Sequence, residues 1–216
     1  MARDVERVTK LVREVLLHTF NTEPQVLEIK DDGDYLLVYM RNFMLPYTMV
    51  GDEYTEIRVP MFTSVVPKVA EYVTEVTNLK NTPIFFDWYP ENRSACLTVL
   101  LKDPVSLDNM YPKKAEVHLE TNIITKDVEK LPEKVFSFWA DPSHFIIIRQ
   151  GFLIQIEKEL IKLGFQDTLR ISKRSLEKAY FDNHLMIAKL LGKHPSGVYL
   201  DWDFQLDWSV LVYHFD

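Results

Sequence analysis

Two arginine and aspartate combinations are the residues of this chain whose types and positions could do chemistry. Arg41 and Arg149 each end a short apolar run, and Asp87 and Asp201 each precede a tryptophan in an aromatic run. A carboxylate near an arginine can hold a ligand or a proton, and it can equally form a structural ion pair, which is the commoner case. Both interpretations stay open, so these four residues are candidates for a ligand site or for ion pairs.

Other chemically active residue types lack the spacing that their chemistry needs. The histidines show no pair at metal-ligand spacing on a shared helix face, and the single cysteine, Cys96, has no second cysteine to join it. No serine lies in a Gly-x-Ser-x-Gly context, and the 6 glycines form no phosphate-binding loop. The sequence therefore predicts no catalytic residue, no metal and no cofactor. The histidines are His18, His118, His144, His184, His194 and His214.

The two aspartates belong to a stretch that occurs twice. Residues 84–101 form two β-branched and aromatic runs around a polar break, which is typical of a hairpin, and residues 198–215 repeat that arrangement. The Asp-Trp pair recurs after 201 − 87 = 114 residues, from Asp87 to Asp201. A recurrence at one fixed offset predicts two related halves.

Alternation along these strands separates each aspartate from its tryptophan. In the first copy it places Ile84, Phe86 and Trp88 on one face and Asp87 on the other. We therefore expect Trp88 and Trp202 to occupy equivalent core positions, with the aspartates pointing away from them.

The apolar spacing of the first half predicts the order α-β-β-α-β-β. Helices are expected over residues 4–20 and 65–79, and hairpins over residues 25–41 and 84–101. Residues 42–60 have no clean period, and we expect a loop there with one short strand at 54–59.

The second half follows a predicted linker at residues 102–114, which contains prolines and no period. Its last helix carries its regularly spaced residues at Leu176, Ala179, Tyr180, Asn183, Ile187, Leu190 and Leu191. The expected elements are a strand at 115–121, a helix at 128–139, a strand at 145–149, helices at 153–163 and 176–191, and the final hairpin.

We therefore expect an α+β protein of two similar units, residues 1–101 and 115–216, each with helices packed on a mostly antiparallel sheet. Duplication within one chain favours a pseudo-dimer, because it makes the interface independent of protomer concentration. The expected state is a monomer of this form or a homodimer.

Composition excludes several classes of protein. With 47% apolar and 26% charged residues, the 216-residue chain is ordinary for a globular protein. Its net charge of −7 repels phosphate backbones, so no nucleic-acid partner is expected. No apolar run is long enough to cross a bilayer, and the N-terminus has no signal-peptide pattern. We expect a cytoplasmic protein that does not insert into membranes.

Several short motifs resemble the MpsC-like family of small soluble bacterial proteins. Residues 84–94 match its aromatic-Asp-Trp strand and Glu-Asn turn, and residues 20–24 and 40–43 occur in the expected order. In the second half, residues 151–153 with Glu157 resemble its Gly-Phe-Leu…Glu segment. The family's usual chain holds one such unit, whereas this chain holds two. The resemblance implies a link to a proposed cation-translocating, membrane-potential-generating system, without a demonstrated activity.

Two classes of function are consistent with these features. The first is a non-catalytic binding or adaptor protein whose partner is another protein, such as a membrane complex, recognised through an exposed apolar patch. The alternative is a small-molecule sensor or an enzyme with a site in the cleft between the halves. A closed, polar-lined cavity containing Arg149 and Asp201 would favour the alternative.

Overall fold

The chain folds as two compact α+β units that divide between Lys102 and Asp103. The computed structural model describes residues 5–44, 54–89 and 92–216. Each unit has one four-stranded antiparallel sheet, and the strand order is the same in both. The predicted fold class of two similar α+β units is confirmed.

The first unit has the predicted element order. Its sheet runs β1-β2-β4-β3, and the two helices cover one face of it. Val8, Val12 and Leu16, spaced by four, are the buried stripe of the first helix. The elements are α1 (Val5–Phe20), β1 (Val26–Asp31), β2 (Tyr35–Arg41), α2 (Val66–Thr77), β3 (Ile84–Tyr89) and β4 (Ser94–Leu100).

The short strand expected at 54–59 is wrong. Tyr54–Arg58 and Met61–Val65 each form one π-helical turn, and the second leads directly into α2. The buried apolar residues here, Ile57, Met61 and Val65, recur every four positions, which is a helical spacing. The rest of the expected loop, residues 45–53, lies outside the described residues, as do Pro90 and Glu91 of the β3–β4 turn.

The second unit repeats this plan with more helices. Its sheet runs β5-β6-β8-β7, and its described core joins residues of that sheet to α4, α6 and α7, whose bounds follow. The elements are α3 (Pro104–Leu107), α4 (Lys114–Val128), β5 (Lys134–Asp141), β6 (His144–Gln150), α5 (Gln155–Lys162), α6 (Gln166–Asn183), α7 (Leu185–Leu191), β7 (Gly197–Asp203) and β8 (Trp208–His214).

Two predicted elements of this unit have the wrong type. Residues 115–121, expected as a strand, belong to α4, and residues 134–139, half of the helix expected at 128–139, belong to β5. The buried face of α4 includes Thr121 and Thr125, so an apolar period does not mark it. With these corrections, the second unit also begins with a helix followed by a hairpin.

The segment predicted as a linker lies against β5. The Ser137 backbone N–H donates to Asp108 Oδ1 at 2.9 Å, and the Asn109 N–H donates to the Ser137 carbonyl at 3.3 Å. Pro104 and Leu107 of α3 are buried. Residues 103–114 therefore pack as part of the second unit.

Candidate functional site

The strand registers test whether the two candidate arginines are equivalent. Trp88 pairs with Ala95 and Trp202 with Ser209, an offset of 114 residues in both strands, so the two hairpins correspond. Both tryptophans are 2% exposed and lie in the core clusters under the helices, which confirms that prediction.

The arginines do not correspond. Met40 lies opposite Ala95, and Arg149 lies opposite Ser209, so Arg149 takes the place of Met40. By the same register, Gln150 takes the place of Arg41. A displacement of one residue along a strand moves a side chain to the other face of the sheet. Arg149 therefore points toward the helices, whereas Arg41 points away from them.

In the first unit, Arg41 and Asp87 lie on the sheet face away from the helices, two strands apart. The half-buried Arg41 donates from Nε to the Tyr39 hydroxyl at 3.1 Å, and its guanidinium lies 5.9 Å from the Tyr39 ring. Asp87 is buried. Alternation thus places Asp87 as predicted, on the face opposite Trp88.

In the second unit, Arg149 and Asp201 lie on opposite faces of the sheet and have different partners. Instead of one Arg149–Asp201 pair, the structure has two separate ion pairs. Asp201 binds Arg170 of α6. Arg149, which is fully buried, donates from Nη2 to Glu177 Oε2 of α6 at 2.6 Å.

Two hydroxyls also accept hydrogen bonds from the Arg149 guanidinium. Its Nε donates to Ser209 Oγ at 2.8 Å, and its Nη1 donates to Thr125 Oγ1 of α4 at 3.0 Å. A guanidinium with a carboxylate and two hydroxyl acceptors is well compensated for its burial. Arg149 thus connects β6 to β8, α4 and α6.

Lys173, one turn before Glu177 on α6, extends this arrangement into a buried charge network. Its ammonium lies 2.9 Å from Glu177 Oε1, donates to Glu157 Oε1 at 3.0 Å, and binds Glu129. Three carboxylates therefore surround one ammonium. The charge network is Glu129, Arg149, Glu157, Lys173 and Glu177.

Aromatic rings line the charge network. The Phe152 ring centre lies 5.0 Å from Arg149 Cζ and 5.1 Å from Lys173 Nζ, so both cations approach the same ring. Lys173 Nζ also lies 5.7 Å from the Trp202 ring. Within the described part of the chain, the buried Trp202 Nε1 has no hydrogen-bond partner.

The charges shift one another's pKa in different directions. Burial acts to raise the pKa of Glu177, but Arg149 and Lys173 outweigh it, and the pKa is lowered. Burial lowers the pKa of Lys173, against the attraction of Glu177. Burial raises the pKa of Glu157, with help from Glu177 and against the N–H of Ile154. Of these two carboxylates, Glu157 is therefore the one that takes up a proton more readily.

The backbone at 151–154 holds Glu157 and Phe152 in place. The N–H groups of Phe152 and Leu153 donate to Asp207 Oδ1 at 3.0 and 2.9 Å, and the Ile154 N–H donates to Glu157 Oε2 at 2.9 Å. Gly151 begins this bend with φ +69°, a conformation that favours glycine. The Gly-Phe-Leu…Glu motif thus positions two members of the site.

The outer side of α6 is the reverse of an ordinary surface helix. Its charged residues after the first turn are buried or half-buried, whereas every exposed residue from 168 to 183 is uncharged. We call those exposed residues the uncharged face of α6: Thr168, Ile171, Ser172, Ser175, Leu176, Ala179, Tyr180 and Asn183. Leu176 is 60% exposed and Tyr180 45%.

Sequence reasoning found Arg149 but missed its partners. Lys173 precedes the helix predicted at 176–191, and its spacing of four residues from Glu177 is the pattern of a solvent-exposed ion pair. The stripe through Leu176 and Tyr180 suggested a core-facing side. The one available signal was the Gly-Phe-Leu…Glu motif, because Glu157 belongs to the charge network.

Two kinds of feature are absent from residues 5–44, 54–89 and 92–216. No group of three or more histidine, cysteine or acidic side chains is arranged to hold a metal ion. No helix in these ranges combines the length and apolar character of a membrane span.

Comparison of the chain with models of protein families, with curated proteins and with solved structures found no match.

Proposed function

We propose that this protein is a non-catalytic binding or adaptor protein, and that the uncharged face of α6 is the surface through which it binds another protein. The single observation that carries the proposal is the inverted orientation of α6. Its charged residues after the first turn are buried or half-buried, and its large apolar residues Ile171, Leu176 and Tyr180 are exposed to solvent, while only Leu169 and Phe181 enter the core.

The composition of this face suits the centre of a protein interface. Interface cores are depleted in charged residues, and aromatic residues such as tyrosine contribute much of the binding energy. Leu176 and Tyr180 are one turn apart, so both can enter one apolar partner surface. Solvent exposure of such residues is unfavourable, and a partner would relieve it.

Helix α4 extends this surface. Thr125 of α4 and Glu177 of α6 both bind Arg149, so the two helices are neighbours. On α4, Leu119 and Ile123 are 60% and 43% exposed and lie one turn apart. A partner that covers the uncharged face of α6 can also contact these side chains.

The charge network keeps the apolar side of α6 outward. Turning α6 about its axis to bury Leu176 would separate Glu177 from Arg149, and Lys173 from Glu129 and Glu157. Leaving one partner of a buried ion pair uncompensated costs about 3–5 kcal/mol. The network therefore stabilises the orientation in which the uncharged face can bind a partner.

A capture experiment with a matched control tests the proposal. The tagged chain, incubated with soluble and membrane fractions of its native cells, should retain a specific protein, and Leu176→Glu should abolish retention. The control is Leu17→Glu on α1, since Leu17 is also an exposed leucine, at 41%. Circular dichroism checks that both variants are folded. Equal retention by the wild type and Leu176→Glu would contradict the proposal.

Three related expectations stay predictions. They are the MpsC-like resemblance with its membrane-complex partner, the pseudo-dimer, and the alternative of a small-molecule sensor or enzyme. The proposal depends on none of them.

A further inference from the structure

Building on the proposed function, we infer that the partner of the uncharged face of α6 is the same face of a second copy of this chain, packed antiparallel across a two-fold axis. The inference rests on the charge, the residue order and the size of this face.

The absence of charge on this face permits a copy of this chain as the partner. In a two-fold interface each patch meets itself, so an exposed charge near the axis meets a charge of its own sign. The chain carries a net charge of −7, which opposes contact between most pairs of surfaces. The uncharged face of α6 avoids that repulsion.

The residue order of the face is complementary to itself. In an antiparallel pair centred between Ser175 and Leu176, each position meets the one equally far from the centre on the other helix. Small residues then lie at the centre, opposite another small residue or the one leucine, and the two polar end residues lie opposite each other. The resulting pairs are Thr168 with Asn183, Ile171 with Tyr180, Ser172 with Ala179, and Ser175 with Leu176.

These pairs allow close packing. Ser172, Ser175 and Ala179 have short side chains at the middle of the face, so two helix axes can approach to about 8 Å. Ile171 and Tyr180 then pack against each other on both sides of the axis. Thr168 and Asn183 can exchange hydrogen bonds at both ends, because each has a donor and an acceptor.

The size of the surface suits a reversible dimer. An 18-residue helix is about 27 Å long. With Leu119 and Ile123 alongside it, the contact approaches the lower end of the standard interface size, roughly 600–800 Å² per copy. We expect a micromolar dissociation constant, because interfaces of this size without charged pairs are not among the tightest.

Opposite charges placed at residue 175 give a specific test. Sedimentation of the full chain from about 1 to 100 μM should show a monomer–dimer equilibrium, with the dissociation constant in the micromolar range. Ser175→Glu and Ser175→Lys should each weaken it at least tenfold, because like charges meet at the axis. An equimolar mixture of the two variants should restore the dimer. Ser106→Glu, at an exposed serine of α3, is the control and should leave the equilibrium unchanged.

The outcomes separate this inference from the proposed function. A monomeric wild type that still captures another protein through Leu176 overturns the inference and leaves the proposed function in place. A monomeric wild type without any Leu176-dependent capture overturns both. A dimer that neither Ser175 variant weakens also overturns the inference, since the contact then lies elsewhere.

Discussion

The two units share one sheet plan but distribute charge and apolar surface in opposite ways. Where the first unit buries Met40 under its helices, the second buries Arg149. Four large apolar side chains are exposed in the described part of the first unit, against fourteen in the second. The described parts of the two units also differ in their buried acidic residues, lysines and arginines. The first unit has Arg58 and Asp87, and the second has Arg149, Glu157, Lys173, Glu177, Lys178 and Asp201.

The two units thus keep one sheet plan while the residues between the sheet and the helices differ in charge. Both hairpins keep the same register, and both tryptophans remain in the core. A buried ion pair is weak evidence for stability, because its desolvation offsets most of its attraction. Its clearer effect here is orientation, since it fixes which side of α6 meets solvent.

Arg149→Met gives the second unit the core residue that the first unit has at this position. Arg149→Met leaves Glu177 buried without its guanidinium partner and should lower the free energy of unfolding by about 3–5 kcal/mol. Adding Glu177→Leu removes the stranded carboxylate, and the double variant should recover more than half of that loss. Guanidinium-chloride unfolding measures both changes.

A matched substitution in the first unit supplies the control. Met40→Leu, at the equivalent position, conserves volume and should cost less than about 1.5 kcal/mol. If the double variant is no more stable than Arg149→Met, the guanidinium acts through contacts other than Glu177. Its bonds to Thr125 and Ser209 would then be the important ones.

Periodicity predicted the first unit well because its helices and strands have one apolar side. It misread α4 and β5 for two reasons. Threonines occupy buried positions of α4, and β5 buries Phe136 and Phe138 on one face and Ser137 on the other. A single sequence does not show which polar residues are paired in a core, so its pattern indicated the wrong element types.

The tryptophans allow a finer comparison of the two cores. Trp88→Ala and Trp202→Ala should each cost about 3–5 kcal/mol, since both remove a large buried side chain. The phenylalanine variants should differ. Trp202 Nε1–H is a buried donor without a hydrogen-bond partner in the described residues, which costs the desolvation energy of that N–H. Phenylalanine has no such donor, so Trp202→Phe removes this cost.

We therefore expect Trp202→Phe to be less destabilising than Trp88→Phe by about 1 kcal/mol. Denaturant melts of the four variants measure the difference. Equal losses for the two phenylalanine variants would mean that the Trp202 N–H is hydrated or otherwise satisfied in solution.

The candidate site was only partly predictable, because a single sequence does not show which charged residues pair in the core. The sequence marked Arg149 and Asp201, but their true partners, Glu177 and Arg170, lie on a helix whose charges resemble an exposed face. Pairing across 28 residues, as between Arg149 and Glu177, leaves no local pattern. Only the register of β6 against β8 shows which side of the sheet Arg149 occupies.

The smallest expected effect concerns pH, and it distinguishes two carboxylates of the charge network. The ordinary pKa of both Glu157 and Glu177 is 4.5, and the fold raises the first and lowers the second. A raised pKa gives stability that is present below pH 4.5 and is lost as the pH rises through the folded-state value. A lowered pKa gives stability that is present above pH 4.5 and is lost as the pH falls through the folded-state value.

Glu157→Gln should therefore remove one of these pH effects and leave the other. Glutamine keeps an oxygen for the Ile154 N–H but does not ionise, so the loss of stability above pH 4.5 should shrink. The acid-side loss from Glu177 should persist, because Arg149 still holds that carboxylate ionised. Urea midpoints at several pH values on both sides of 4.5 measure this, with Glu159→Gln on the exposed side of α5 as control. Parallel curves for the wild type and Glu157→Gln above pH 4.5 would mean that Glu157 titrates as it does in the unfolded chain. The ammonium of Lys173 would then be enough to compensate for the burial of the Glu157 carboxylate.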